Sequence, residues 1–165
     1  MEERQKIHFT CPTGWCNDPN GLIYIDGEYH LFYQHYPHET KWGPMHWGHA
    51  KSRDLISWEN LPIALYPAED EYCFSGSAIY DEGNISGLGR NRPPLLLFYT
   101  AHNPENGEQS QCLAYSEDRV HFEKFPGNPL IPNRISDPAY KKDFRDPKVI
   151  KTPDNKWTMV LAAGN

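Results

Sequence analysis

Two carboxylates stand out by their neighbours. Asp18 lies in Gly14-Trp15-Cys16-Asn17-Asp18-Pro19-Asn20-Gly21, among amides, a tryptophan and turn-forming residues, just ahead of an apolar run. Proline lacks the N–H and pushes the preceding residue to extended φ/ψ, so Asp18 is expected to mark the point where a strand begins. Asn20-Gly21 offers turn chemistry, and Leu22–Ile25, Asp26-Gly27 and Tyr29–Tyr33 read as strand, two-residue hairpin turn and strand. A carboxylate at the mouth of a rigid hairpin is well placed for nucleophilic or acid–base work; Asn-Asp-Pro-Asn-Gly also suits a plain turn. The second carboxylate, Asp146 in Arg145-Asp146-Pro147, read alone is a turn with a local ion pair.

What positions them is a set of short strands. No stretch of a dozen residues has helical periodicity, and alternating or apolar runs are separated by Gly, Pro, Asn and Asp throughout, so the fold class is all-β. Residues 48–61 lie over residues 112–125 without a gap. Ala, Ser, Asp and Glu coincide at 50/114, 52/116, 54/118 and 59/123, an offset of 64 residues. Twice that offset carries Asp18-Pro19 to Asp146-Pro147, and Leu31-Phe32-Tyr33 to Met159-Val160-Leu161. Ser77–Tyr80 followed by Leu95–Tyr99 forms a middle copy. Each repeat reads as four strands: an inner strand, its hairpin partner, a third from Trp47 to Ser52 and an outer one around Ile56 to Leu61. Four-stranded units in series are the mark of a β-propeller, whose innermost strands line a central channel. Asp18, Phe74-Ser75 and Arg145-Asp146, which open the three inner strands, are therefore expected to converge at one end of that channel. At this period the chain, read as the single unit 1–165, holds about two and a half blades. An open arc of that kind leaves blade faces exposed for self-association.

Composition narrows the chemistry. With 16 Lys+Arg against 22 Asp+Glu and no basic run, nucleic acid and anionic membranes are poor partners. The 5 Trp and 10 Tyr suit the apolar faces of sugars, and suit a tyrosine-rich β core equally well. The 4 cysteines form no CxxC pair and read as reduced thiols. No segment has the pattern of a signal peptide or the length of a membrane span, which makes a cytoplasmic chain the expectation. His46 and His49, three apart on an extended strand, point to opposite faces, so neither a metal site nor any other cofactor is expected.

Trp15-x-Asn17-Asp18-Pro19-Asn20-Gly21, Phe32-Tyr33-Gln34, Trp47-Gly48-His49, Phe74-Ser75-Gly76-Ser77 and Arg145-Asp146-Pro147, in this order and spacing, resemble glycoside hydrolase family 32: the invertases, sucrose-6-phosphate hydrolases, inulinases and levanases. The resemblance runs from about His8 to Ala163. It implies a five-bladed β-propeller that hydrolyses β-fructofuranosidic bonds of sucrose or fructan with retention of configuration. It also implies Asp18 as nucleophile, and Asp146 as transition-state stabiliser held ionised by Arg145. Asn17 and Gln34 would then bind fructose hydroxyls, with Trp42, Phe74 and Ser75 as walls of the subsite. The family's acid/base glutamate is followed by cysteine and lies in the repeat after Arg145-Asp146-Pro147; this sequence has no Glu-Cys. The chain is therefore expected to be the N-terminal portion of the catalytic propeller. The alternative is a non-catalytic sugar-binding fragment.

Overall fold

The structure, a computed structural model, describes residues 8–134, 143–154 and 156–164. Its ten strands among those residues form three antiparallel sheets, and no helix is present among them. The first sheet runs β1 (Trp15–Ile25), β2 (Glu28–Tyr36), β3 (His46–Ser52) and β4 (Trp58–Leu65) in chain order. The second repeats it with β5 (Tyr72–Tyr80), β6 (Leu95–His102), β7 (Gln109–Ser116) and the two-residue β8 (Glu123–Lys124). β9 (Arg145–Lys151) and β10 (Trp157–Ala162) form the hairpin that opens a third. β1 packs on β5 and β5 on β9, so the first strands of successive sheets are neighbours, as in propeller blades.

Local chemistry explains the elements. Asp26 and Gly27 have φ of +51° and +87°, the doubly left-handed pair that a two-residue hairpin turn needs between β1 and β2. The matched Ser and Asp of the 64-residue repeat build one and the same turn twice. Ser52 Oγ donates to Asp54 Oδ1 and accepts from the Leu55 N–H, while Asp54 Oδ1 also accepts from the N–H groups of Ile56 and Ser57. Ser116 and Asp118 do the same for Arg119, Val120 and His121. Leu55 and Arg119 both turn left-handed, at φ +63° and +64°.

The core lies between the sheets. In β6, Leu95, Leu97 and Tyr99 face the first sheet with Ile25, Phe32 and Trp47. Leu96 and Phe98 face the third with Val149, Trp157 and Met159. Alternate side chains of one strand thus serve two interfaces, which is why Leu95–Tyr99 is apolar without interruption. Each such side chain contributes about 1.5–3 kcal/mol on burial. On the outermost sheets Leu22, Tyr24, Ile150 and Val160 stay exposed.

Two boundaries differ from the sequence reading. β1 begins at Trp15, not at Asp18, because a bulge at Asn17-Asp18 lets the strand run through the residues ahead of Pro19. Ile56 belongs to the Asp54 turn, and the outer strand starts only at Trp58.

Candidate functional site

Each of the three inner strands carries a β-bulge close to where it opens. In β1, Cys16 pairs with His35 and Pro19 with Tyr33, so Asn17 and Asp18 together oppose Gln34. In β5, Phe74 pairs with Thr100 and Gly76 with Tyr99, leaving Ser75 as the extra residue. In β9, Arg145 pairs with Ala162 and Lys148 with Val160, so Asp146 and Pro147 oppose Leu161. A bulge bends its strand and re-aims the extra side chain. All three strands are sheet edges on this side, so the prolines cost no ladder hydrogen bond. Gly76 is fixed by the second bulge, since a Cβ there would lie 1.9 Å from the Phe98 carbonyl oxygen.

These bulges bring the opening residues together. Ser75 Oγ donates to Asp18 Oδ2 at 2.8 Å, joining the first and second blades. Asp146, on the third, lies within the field of Asp18: desolvation, then the charges of Asp18 and Asp143, hold its carboxyl above the ordinary aspartate range against the pull of Arg145. The expected partnership of Arg145 with Asp146 takes the form of an ion pair that Arg145 shares with Asp143. Arg145 Nη1 donates to Asp143 Oδ1 at 2.7 Å, whereas its Nε stands 3.8 Å from Asp146 Oδ2, an ion-pair distance but not a hydrogen bond.

The remaining expected residues take varied places. Asn17 is exposed, and its Oδ1 accepts the Trp15 indole N–H at 2.6 Å, which turns its amide NH₂ into the group available to a ligand. Gln34 is 3% exposed and its Nε2 donates to the Cys73 carbonyl at 2.9 Å, a bond between blades. Trp42 is half exposed and meets Tyr72 and Phe74 edge-on, at centroid distances of 6.1 and 6.3 Å. Phe74 in turn stacks on His102, 4.3 Å away and 9° from parallel. His102 was not legible in the sequence, for it closes β6 beyond the apolar run with no motif around it. Its Nδ1 is buried without a partner among the described residues, and burial together with Arg145 holds its pKa below the usual histidine value. His46 bonds the Pro44 carbonyl while His49 faces His30 and Phe32, on the other side of β3. Of the acids before β5, Glu71 is engaged by Lys124 Nζ at 2.5 Å and by the Tyr99 hydroxyl at 3.1 Å.

The site is therefore two carboxylates from the first and third blades, a serine from the second between them, and an aromatic flank of Trp42, Tyr72, Phe74 and His102. Such a set can accept hydrogen bonds from several hydroxyls and offer an apolar face beside them.

Known proteins resemble the chain in sequence and in fold. Over 165 residues, 98% of the chain, it is 52% identical to a levanase of Bacillus subtilis strain 168, covering 23% of that protein. It is 45% identical over 164 residues to a sucrose-6-phosphate hydrolase of Zymomonas mobilis subsp. mobilis, of which it covers 29%. Among solved structures, the exo-inulinase of Aspergillus awamori superimposes with a TM-score of 0.88 at 40% identity, over 94% of this chain and 34% of that one. The chain thus spans about a quarter to a third of the length of these three proteins. The family profile described as "Glycosyl hydrolases family 32 N-terminal domain" matches residues 8–165, and the chain belongs to glycosyl hydrolase family 32, carrying its N-terminal β-propeller portion.

Proposed function

We propose that this chain supplies the nucleophile and the transition-state stabiliser of a site that hydrolyses terminal β-D-fructofuranosidic bonds, in sucrose, sucrose 6-phosphate or fructan, with retention. The names of its relatives, levanase, sucrose-6-phosphate hydrolase and exo-inulinase, favour this substrate class. The observation that carries the reading is the convergence of Asp18, Ser75 and Asp146, each at a bulge of a successive inner strand.

The chemistry follows from the groups. With Oδ2 held by Ser75, Asp18 Oδ1 attacks the anomeric carbon, the glycosidic C–O bond breaks, and the leaving oxygen takes a proton from a general acid. That acid is assigned to a residue outside the described ones. Water, deprotonated by the same group, then attacks the anomeric carbon of the ester, and Asp18 leaves as carboxylate. The carbon passes through an oxocarbenium-like state in both steps. Asp146 accepts hydrogen bonds from ring hydroxyls, and these add to rate as far as they strengthen while the ring flattens and gains charge. Asn17 serves as a donor to the same sugar, and Trp42 and Phe74 wall its apolar face.

The test is fructose release from sucrose, measured for the chain alone and within whatever longer polypeptide carries it, each beside Asp18→Asn. The variant is expected to lose about 10⁴-fold in kcat while still binding fructose. Unchanged turnover in the variant overturns the assignment. The second reading, a module that binds sugar without cleaving it, is favoured by the half-exposed Trp42 beside Phe74; fructose binding with no turnover in any form would establish it.

A further inference from the structure

Asp146 has a φ of +60°, the left-handed region that is uncommon for a residue with a Cβ and that aspartate enters more readily than most. The groups that hold this backbone in place belong to the neighbouring blade. The Asp146 N–H donates to Thr100 Oγ1 at 3.0 Å. Thr100 Oγ1 donates its own proton to Gln111 Oε1 at 2.9 Å, and Gln111 Nε2 donates to the Phe144 carbonyl at 2.8 Å. Beyond Asp146, Ser77 Oγ donates to the Pro147 carbonyl at 2.7 Å and accepts from the Val149 N–H at 3.0 Å. The backbone is thus gripped on both sides of the carboxylate. Thr100 and Gln111 are 0% exposed and Ser77 is 3% exposed, so none of them reaches a sugar in the channel.

The first blade treats the second in the same way. Trp47, which lies 64 residues before Gln111, donates its indole N–H to the Phe74 carbonyl at 3.0 Å, beside the bulge that sets Ser75. The equivalent position in each blade therefore fixes the next blade's inner strand at its site residue. A buried polar network with all its members satisfied rigidifies the backbone it holds, and packing alone would be served by apolar residues.

We propose that Ser77, Thr100 and Gln111 are positioning residues: a buried relay by which the second blade fixes residues 144–149 and aims the Asp146 carboxylate, with Thr100 at its centre. The proposal rests on the reading of Asp146 as the stabiliser of a fructosyl transition state. A misplacement of about 1 Å costs on the order of 100-fold in rate, so removing the relay should act on kcat.

Thr100→Val keeps the shape of the side chain and deletes both hydrogen bonds; Thr100→Ser keeps the hydroxyl. In the form of the protein that releases fructose, Thr100→Val is expected to lower kcat about 10- to 100-fold with KM changed less than about two-fold. Thr100→Ser restores kcat toward that of the parent. Hydrogen exchange supplies the readout that does not depend on activity: the Asp146 amide of the 165-residue chain is protected, and Thr100→Val removes that protection while amides in β6 and β7 keep theirs. An unchanged kcat overturns the proposal, as does a loss of kcat that Thr100→Ser fails to restore. Should the parent release no fructose, the functional reading fails by itself. The exchange experiment still decides the relay, and equal Asp146 exchange in parent and Thr100→Val refutes it.

Discussion

Asp18 is an exposed carboxylate with one oxygen already committed, and that commitment sets what its neighbour is worth. The Ser75 hydroxyl donates to Oδ2 at 2.8 Å, which fixes the carboxylate plane and leaves the other oxygen for the proposed attack. Hydrogen bonds to charged groups contribute about 1.5–3 kcal/mol, and exposure places this one at the low end. Ser75→Ala is thus expected to lower kcat/KM about 10-fold, measured with sucrose, with the fold unchanged by circular dichroism; a variant as fast as its parent would show that Ser75 only lines the site. Arg145 acts differently. Its hydrogen bond goes to Asp143, and its charge pulls the raised pKa of Asp146 downward. In the proposed mechanism Asp146 must be ionised to stabilise the transition state, so its raised pKa is expected to set the acid limb of the pH–kcat profile. Arg145→Gln removes the pull, raises the Asp146 pKa further and moves that limb to higher pH. A limb that stays put or moves down would mean that another group governs it.

At the scale of elements, the site is made by bulges, and this is also where the sequence stops being legible. The Asp26-Gly27 hairpin and the 64-residue repeat could be read directly, because turn residues and periodicity are local signals. A bulge is a statement about two strands. Nothing in Phe74-Ser75-Gly76 alone says that one residue of β6 will face two of β5. For the same reason Gln34 read as an amide for sugar, while its Nε2 binds the next blade's backbone at Cys73; in the relay, Ser77 stood in a motif without a role, and Thr100 and Gln111 gave no signal. The bulge in β5 can be attacked at Gly76, where an added Cβ would meet backbone rather than a movable side chain. Overpacking costs roughly 1–3 kcal/mol. Gly76→Ala is expected to fall in or above that range by urea unfolding and to abolish activity with it, since relieving the clash displaces Ser75. A stability within about 0.5 kcal/mol of the parent would show that the bulge relaxes without loss.

Across the whole molecule, stability is concentrated in the seams between blades, and one seam is sensitive to acid. His30 Nδ1 and His49 Nε2 lie 3.0 Å apart, so the pair holds one proton between two nitrogens and has no room for a second. Both rings are buried where the first blade meets the second: His49 stacks on Phe32 at 4.2 Å and faces Phe122 from the turn after β7. Arg119 and Lys51 add positive charge nearby. Burial therefore lowers the pKa of His30, and pushes that of His49 down to about 3 from the ordinary 6.5. The folded pKa is depressed, so between pH 6.5 and 3 the unfolded chain binds more protons than the folded one. Stability is then complete above pH 6.5 and declines as the pH falls through that window. The slope is about 1.4 kcal/mol per pH unit for each histidine that protonates only on unfolding. His35, His46 and His102 are lowered by burial too and add to it. Urea midpoints at pH 7.5, 6 and 5 should fall steadily in the parent, and His49→Gln should flatten the profile even if it lowers stability at pH 7.5. Parallel profiles for the two proteins would mean that the seam takes up its proton without opening, and that the acid sensitivity resides in the other buried histidines.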